Sequence, residues 1–220
     1  MKRIVLMLLL VSLAVGCNRG LLNQVRGSGN RQREERKVEA FTSILTDGAF
    51  DITVVSQKQY ALEIEGDDNI LPMIGTNVSG SVLHIKNRSG YSVSQPIKIT
   101  ISVPNLDAVT ANGAGSIKIT DLKNDRFEVD VNGAPALEAL GETKFLKIKA
   151  NGAGNIDTHR LRATRADVNS NGVTKIDLYA SEQLDVVVSG PSSVTYQGDP
   201  VVNKTINGPG SIQKKASQGS

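Results

Sequence analysis

A sixfold repeat in the C-terminal half of the chain limits the fold more than any other feature of the sequence. An Asn-Gly or Ser-Gly corner recurs at residues 112, 132, 151, 171, 189 and 207, in steps of 20, 19, 20, 18 and 18 residues. The Asn-Gly corners are Asn112, Gly113, Asn132, Gly133, Asn151, Gly152, Asn171, Gly172, Asn207 and Gly208. Such a regular period is typical of folds in which each unit packs on its neighbours.

Apolar residues keep fixed positions relative to these corners. Five residues after the first corner residue stand Ile117, Leu137, Ile156, Ile176, Val194 and Ile212. Three residues before it stand Val109, Val129, Ile148, Val168 and Val186, and the last unit has Lys204 instead. Alternation with a period of two on both sides of the corner predicts two half-buried strands in each unit.

Two all-β architectures fit this pattern. In a parallel β-solenoid, each unit of about 19 residues is one coil, and equivalent residues stack about 4.8 Å apart. In an antiparallel β-meander or sandwich, each Asn-Gly would be a hairpin turn. The sequence favours the solenoid, because the inward positions would require a five-residue hairpin loop and the corner keeps the same phase six times. Stacked asparagines can also hydrogen-bond from coil to coil, and glycine accepts a left-handed backbone.

The chain before the repeat has the same strand-like texture. The segments "GAFDITVVSQ", "QYALEIEG", "GSVLHIKN" and "PIKITISVP" alternate apolar and polar residues, while "DDNILPMIG" suggests a helical turn. Aromatic residues make up only 4% of the chain, whereas it has 21 glycines. We therefore expect one all-β repeat domain over residues 38–220.

The first 17 residues are typical of a secretion signal. Lys2 and Arg3 precede an apolar run, residues 4–15, that is too short to span a bilayer of about 30 Å. The following "LAVGC" resembles the lipobox of bacterial lipoproteins, and Cys17 is the only cysteine of the chain. This resemblance implies lipid acylation of Cys17, with chains such as palmitate, and a membrane anchor in the bacterial envelope. We expect the outer membrane, with the domain facing the periplasm or the exterior.

Residues 18–37 are predicted to form a flexible basic tether, because they lack apolar periodicity and hold six basic residues against two acidic ones. The chain has a formal charge of +3, of which Lys2 and Arg3 supply two and the tether four, so residues 38–220 carry −3. The folded part is mildly acidic and has no basic helix. We therefore expect no nucleic-acid partner.

The order of these segments resembles a bacterial family, the head GIN domain of auto-transporter adhesins. The resemblance rests on "GAFDITV", "EIEGDDNILPMI", "LHIKN", "PIKITISVPNLDAVTANGAGSIKI" and the closing "SGPSSVTYQGDPVVNKTINGPGSI", and it covers about residues 39–213. It implies a β-solenoid-like domain at the cell envelope with a link to adhesion. It assigns no catalytic or ligand residues.

The glycine corners do not predict a nucleotide site. A phosphate loop needs glycines that lead into a helix N-terminus, whereas each corner here leads into a strand. One outward column of carboxylates, Glu138, Asp157 and Asp177, could hold a cation weakly, although a solvated surface also explains it. We expect no cofactor and no bound metal.

Catalytic residues are scarce. His84 and His159 lie in different parts of the chain, and the most suggestive basic cluster is "THRLRATR", with His159, Arg160, Arg162 and Arg165. We therefore expect a non-enzymatic, monomeric envelope lipoprotein that binds a glycan or a protein through an extended surface. Two alternatives stay open, a structural scaffold of an envelope assembly and a polysaccharide-acting β-helix enzyme.

Overall fold

The computed structural model describes residues 24–215 as an all-β structure in which most strands run parallel within one large sheet. No α-helix occurs in this part of the chain, and the segment "DDNILPMIG" contains a single 3-10 turn, Leu71–Met73. The all-β prediction is confirmed. The strands in chain order are β1 (Val25–Arg26), β2 (Arg31–Glu35), β3 (Ser43–Asp47), β4 (Ala49–Ser56), β5 (Ala61–Asp67), β6 (Ile74–Ser79), β7 (Val82–Asn87), β8 (Tyr91–Ser92), β9 (Ile97–Val103), β10 (Ala108–Ala111), β11 (Ala114–Val131), β12 (Ala134–Ala150), β13 (Asn155–Ser170), β14 (Lys175–Val188), β15 (Ser193–Gln197), β16 (Val201–Ile206) and β17 (Ser211–Lys214).

Successive repeat units pair in parallel and in register. The six apolar residues that follow the corners are direct partners along the sheet: Ile117, Leu137, Ile156, Ile176, Val194 and Ile212. Because all pairings between β10 and β17 are parallel, the antiparallel meander is wrong for the repeat. An Asn-Gly hairpin would have reversed the strand direction at each corner.

Each long strand bends between two inward-facing stretches. The pairing of β11 with β12 shifts register between Ile119 and Leu122, where Asp121 has φ +58°. The pairing of β12 with β13 shifts near Gly141, whose φ is +135°. These irregularities turn the chain without ending the ladder, as β-bulges do. These bends lie about midway between successive Asn-Gly corners in the sequence. They form a second edge of the repeat, distinct from the edge that the corners form.

The N-terminal half contributes to the same stack. Strand β3 pairs in parallel with β10, and β4 pairs in parallel with the first part of β11. The bend at Gly48 therefore lies next to the first Asn-Gly corner, and the amide of Ala114 donates to the carbonyl of Gly48 at 3.0 Å. Strands β7 and β9 extend the stack by one more layer, through parallel pairing with β3 and β4.

Antiparallel strands complete this end of the sheet. Strand β6 pairs with β7, β5 pairs with β9, and β2 pairs with β5. The prediction of a flexible tether over residues 18–37 is therefore wrong for residues 31–35, which form β2. The segment "RQREE" has no apolar alternation, and its side chains make charged contacts instead. Arg31 lies 3.1 Å and Arg33 3.2 Å from carboxylate oxygens of Glu65. Farther upstream, β1 pairs with β8.

One continuous cluster of buried apolar side chains runs from Phe41 to Val194. The predicted inward residues are buried up to the fifth corner, whereas Ile206 is 43% exposed and Lys204 is exposed in the last unit. One residue before the corner, other units have a buried apolar residue such as Val131 or Val188, whereas the fourth unit has Ser170. Its hydroxyl lies 2.7 Å from that of Thr174 and 2.8 Å from that of Ser192, so these buried hydroxyls satisfy one another.

Candidate binding surface

The asparagine corners form a ladder across four units. The side-chain amide of Asn132 donates to Asn112 at 3.2 Å, that of Asn151 to Asn132 at 3.0 Å, and that of Asn171 to Asn151 at 3.1 Å. The ladder ends there because the fifth corner has Ser189, so Asn207 has no asparagine beside it. These residues hold neighbouring units in register, a structural role.

The corner glycines are required for close approach between units. A Cβ on Gly133 would lie 1.9 Å from the carbonyl oxygen of Gly113, and one on Gly152 would lie 1.8 Å from that of Gly133. None of the glycines directly after the corner asparagines has a positive φ, so close approach and not a left-handed backbone is the reason for glycine there. Gly115 does adopt one, with φ +97°. Gly208 is looser, since its Cβ would lie 3.4 Å from the nearest atom.

The predicted cation column does not form a metal site. Glu138, Asp157 and Asp177 are direct partners along the sheet, as the repeat implies. Each of them is already contacted by a basic side chain: Lys118 and Arg160 contact Glu138, His159 contacts Asp157, and Lys175 lies 3.7 Å from Asp177. Across residues 24–215, no group of three or more His, Cys, Asp or Glu side chains is arranged to hold a metal ion.

The basic cluster "THRLRATR" is divided among different contacts. His159 and Arg160 contact the carboxylates just described, and Arg165 lies 3.6 Å from Glu182. Arg162 instead lies over the ring of Tyr179, with its guanidinium carbon 4.3 Å from the ring centroid. The other histidine, His84, lies on β7, which is not a neighbour of the strand that carries His159. The structure therefore brings the two histidines into no shared site.

A second ionic cluster lies on the outward face before the corners. Glu128 accepts a contact from Lys149 at 3.1 Å and lies 3.9 Å from Lys147. Partial burial of the Glu128 carboxyl raises its pKa, but the Lys149 hydrogen bond and the charges of Lys149, Lys147 and Arg126 outweigh burial, so the net pKa is lowered. Neighbouring basic side chains therefore already balance the charge of the Glu128 carboxylate.

A groove of about 530 Å³, lined mainly by residues with polar side-chain groups, lies at the second edge of the repeat. We name it the edge groove. It is lined by Lys123, Asn124, Asp125, Glu142, Thr143, Lys144, Arg162, Ala163, Thr164, Tyr179 and Ser181. Four successive strands, β11 to β14, contribute these residues, and Lys123, Glu142 and Arg162 are direct partners in one column. Sequence reasoning missed this groove, although it singled out Arg162, because the bends that form it carry no repeated motif.

Buried residues form the base of the groove, and charged residues form its sides. Thr143 is 4% exposed and Ala163 1% exposed, and the Thr143 hydroxyl donates to the carbonyl of Phe145 at 3.3 Å. Lys144 and Asp125 form an exposed salt bridge at 2.8 Å on the rim. Within residues 24–215, Lys123, Glu142 and Arg162 form no salt bridge, although they share one column.

The remaining predicted features lie at the ends of the chain. Cys17 and the signal segment lie outside the described residues. No helix in the part of the chain that the structure describes is long and apolar enough to cross a membrane. In the last unit, Lys214 contacts Asp199, and this contact raises the pKa of the lysine.

The fold and surface described above define an all-β repeat protein with an extended polar face. The chain belongs to the family described as "Putative auto-transporter adhesin, head GIN domain", whose model matches residues 40–200. The resemblance found in the sequence is thereby confirmed. No match was found among curated proteins.

Solved structures share the fold. A protein described as a putative adhesin from Bacteroides fragilis is 24% identical with a TM-score of 0.67, over 87% of this chain and 100% of that one. A putative adhesin from Parabacteroides merdae is 16% identical with a TM-score of 0.57, over 88% of this chain and 99% of that one. A putative lipid binding protein from Parabacteroides distasonis is 21% identical with a TM-score of 0.53, over 88% and 100% of the two chains. At these identities the likeness concerns the fold alone.

Proposed function

We propose that this protein is a non-enzymatic adhesin of the bacterial envelope that binds its target through the extended surface of a parallel β-solenoid. Membership of the head GIN family is the observation that carries this proposal. The in-register parallel pairing from β10 to β17 supports the solenoid, since units related by a fixed step of 18 to 20 residues stack without reversing direction.

The outward faces of the repeat suit binding better than catalysis. Outside the edge groove, most charged side chains on them are paired with one another, such as Lys118 with Glu138 at 3.3 Å and Lys149 with Glu128 at 3.1 Å. A general acid or base instead needs a free group within hydrogen-bond reach of the reacting atoms. An array of polar residues on a rigid sheet presents many weak contacts to a large partner, which is how an adhesin gains strength.

We further propose that a lipid on Cys17 anchors the domain to the outer membrane. The support is the sequence "LAVGC" after an apolar run of about a dozen residues, and the absence of any other cysteine from the chain. Two or more acyl chains give stable anchoring, because each buried methylene contributes about 0.8 kcal/mol.

Labelled palmitate fed to expressing cells tests the anchor. We expect label in the wild-type chain and none in Cys17→Ala, which has no other thiol that could substitute. Label that persists in Cys17→Ala would contradict the anchor. Protease treatment of intact cells then reports whether the domain faces outward.

Adhesion is tested separately by the attachment of cells that display the protein to glycan-coated or host-cell-coated surfaces. We expect attachment to fall to the level of cells lacking the gene when Cys17→Ala releases the domain from the cell. Equal attachment with and without the protein would refute the adhesive function and leave the anchor unaffected.

A further inference from the structure

We infer that the edge groove is a binding site for an acidic glycan, a chain of sugar rings that carries carboxylate groups. This inference rests on the proposed adhesive function and names its ligand class. The groove crosses four stacked strands, so at about 4.8 Å per strand its length is about 14 Å. A site of this length accommodates a short extended segment of a polymer.

The charges of the groove are available to a ligand. Elsewhere on the repeat most outward charges are paired, but within the described residues Lys123, Glu142 and Arg162 form no salt bridge. Their positions in one column alternate in sign along the groove. Free charges on a concave, firmly packed site are typical of groups that fix a ligand.

Arg162 is the residue best placed to bind a carboxylate. Its guanidinium lies over the Tyr179 ring, 4.3 Å from the centroid, which restricts its rotation before a ligand arrives. A guanidinium whose flat face lies on a ring keeps the N–H groups at its edge free. Two parallel N–H groups can then donate to both oxygens of a carboxylate.

The other lining groups suit sugar hydroxyls. The Glu142 carboxylate accepts hydrogen bonds from hydroxyl donors, and the hydroxyls of Thr164 and Ser181 can donate or accept. All lining residues except Ala163 carry a polar side-chain atom. The groove therefore matches a ligand that offers both hydroxyls and carboxylates.

Two other polymers fit less well. A single-stranded nucleic acid is usually held by aromatic rings on which its bases stack, whereas Tyr179 is the one aromatic residue in the lining and Arg162 lies over its ring. A peptide is usually held by a free strand edge or by apolar pockets. Here β12 and β13 are paired on both edges, and the lining has no large aliphatic residue.

Isothermal titration of the purified full-length chain in detergent tests the inference with tetragalacturonate as the probe. Maltotetraose, a short oligothymidylate and a tetraglutamate peptide serve as comparison ligands. We expect tetragalacturonate to bind more tightly than the other three, with an affinity that falls as salt is added. We expect Arg162→Ala to weaken binding about tenfold or more and Arg162→Lys to weaken it less, since lysine keeps the charge but not the fork of donors.

Arg126→Ala is the matched control. Arg126 also lies over an aromatic ring, with its guanidinium carbon 5.0 Å from the Phe145 centroid, but it does not line the groove. We expect its removal to change the affinity by less than about twofold. Equal losses in Arg126→Ala and Arg162→Ala would overturn the inference, because they would reflect net charge alone. Absence of tetragalacturonate binding, or equally tight binding of the oligothymidylate or the tetraglutamate, would also overturn it.

Cell attachment separates this inference from the adhesive function. If cells carrying Arg162→Ala adhere as well as wild type, the protein is an adhesin but the edge groove is not its glycan site. If the wild-type chain binds tetragalacturonate with the expected dependence on Arg162 but never promotes attachment, the groove assignment is supported and the adhesive function fails.

Discussion

Replacing Gly152 by alanine should disrupt the stack of repeat units at its middle. The new Cβ would lie 1.8 Å from the carbonyl oxygen of Gly133, and the obstructing atom belongs to backbone that is itself hydrogen-bonded. Gly152 does not have a positive φ, so alanine meets no left-handed backbone strain there and the substitution tests the contact between units.

The cost follows from the contacts that must separate. A shift of about 1 Å is enough to break the hydrogen bond from the Ala153 amide to Gly133, now 2.9 Å, and the ladder bond from Asn151 to Asn132, now 3.0 Å. Two such bonds contribute about 1–3 kcal/mol together, and overpacking costs about 1–3 kcal/mol. We expect the free energy of unfolding to fall by about 4 kcal/mol, and the melting temperature by about 8–16 °C.

Urea denaturation and thermal melting followed by circular dichroism measure this loss. Gly90→Ala is the control, because a Cβ there meets only Gln24 Cγ at 3.5 Å and should change the free energy of unfolding by less than about 0.5 kcal/mol. If Gly152→Ala proved as stable as Gly90→Ala, the close contact between the corners would be refuted.

Two further predictions concern the ladder and the N-terminal strand. Asn151→Ala should lower the free energy of unfolding by about 1–3 kcal/mol in urea denaturation, because two ladder bonds are lost, whereas Asn207→Ala should cost less, and equal costs would count against the ladder. Hydrogen bonds from Arg31 and Arg33 hold the pKa of Glu65 below its ordinary value of 4.5, so stability from this carboxylate is present above pH 4.5 and lost as the pH falls through the lowered pKa. Glu65→Gln should therefore flatten the acid limb of the stability profile, and an unchanged profile would show that this pair does not hold β2.

The repeat could be predicted from the sequence because its information is periodic. The corner asparagines and the apolar residues five positions later, such as Ile117 and Ile156, recur often enough to fix both the strands and their register. The N-terminal layer was harder to recognise, since the bend at Gly48 lacks the asparagine and lies some 60 residues from the first corner it contacts. Strand β2 was missed because ion pairs hold it.

The properties of the surface were harder to predict than the fold, because they depend on side-chain contacts and on bends that do not repeat. The column of Glu138, Asp157 and Asp177 was placed correctly, but whether carboxylates bind a cation depends on the basic side chains that reach them, which spacing alone does not reveal. The edge groove depends on bends whose residues differ from unit to unit, with Asp121 in one and Gly141 in the next. Of the groove residues, the sequence singles out Arg162 alone, as part of a basic cluster that the fold then divides.

The contact between successive corner glycines limits how such a chain can change in length. Because each of Gly113, Gly133 and Gly152 occupies the space above the carbonyl of the preceding unit, a whole added unit brings both the glycine and the carbonyl that the next one needs. A single residue inserted at a corner would supply neither the glycine nor the carbonyl. It would also shift the register of every later unit. Lengthening by duplication of complete units, with small insertions confined to the bends, is therefore the route that this backbone tolerates.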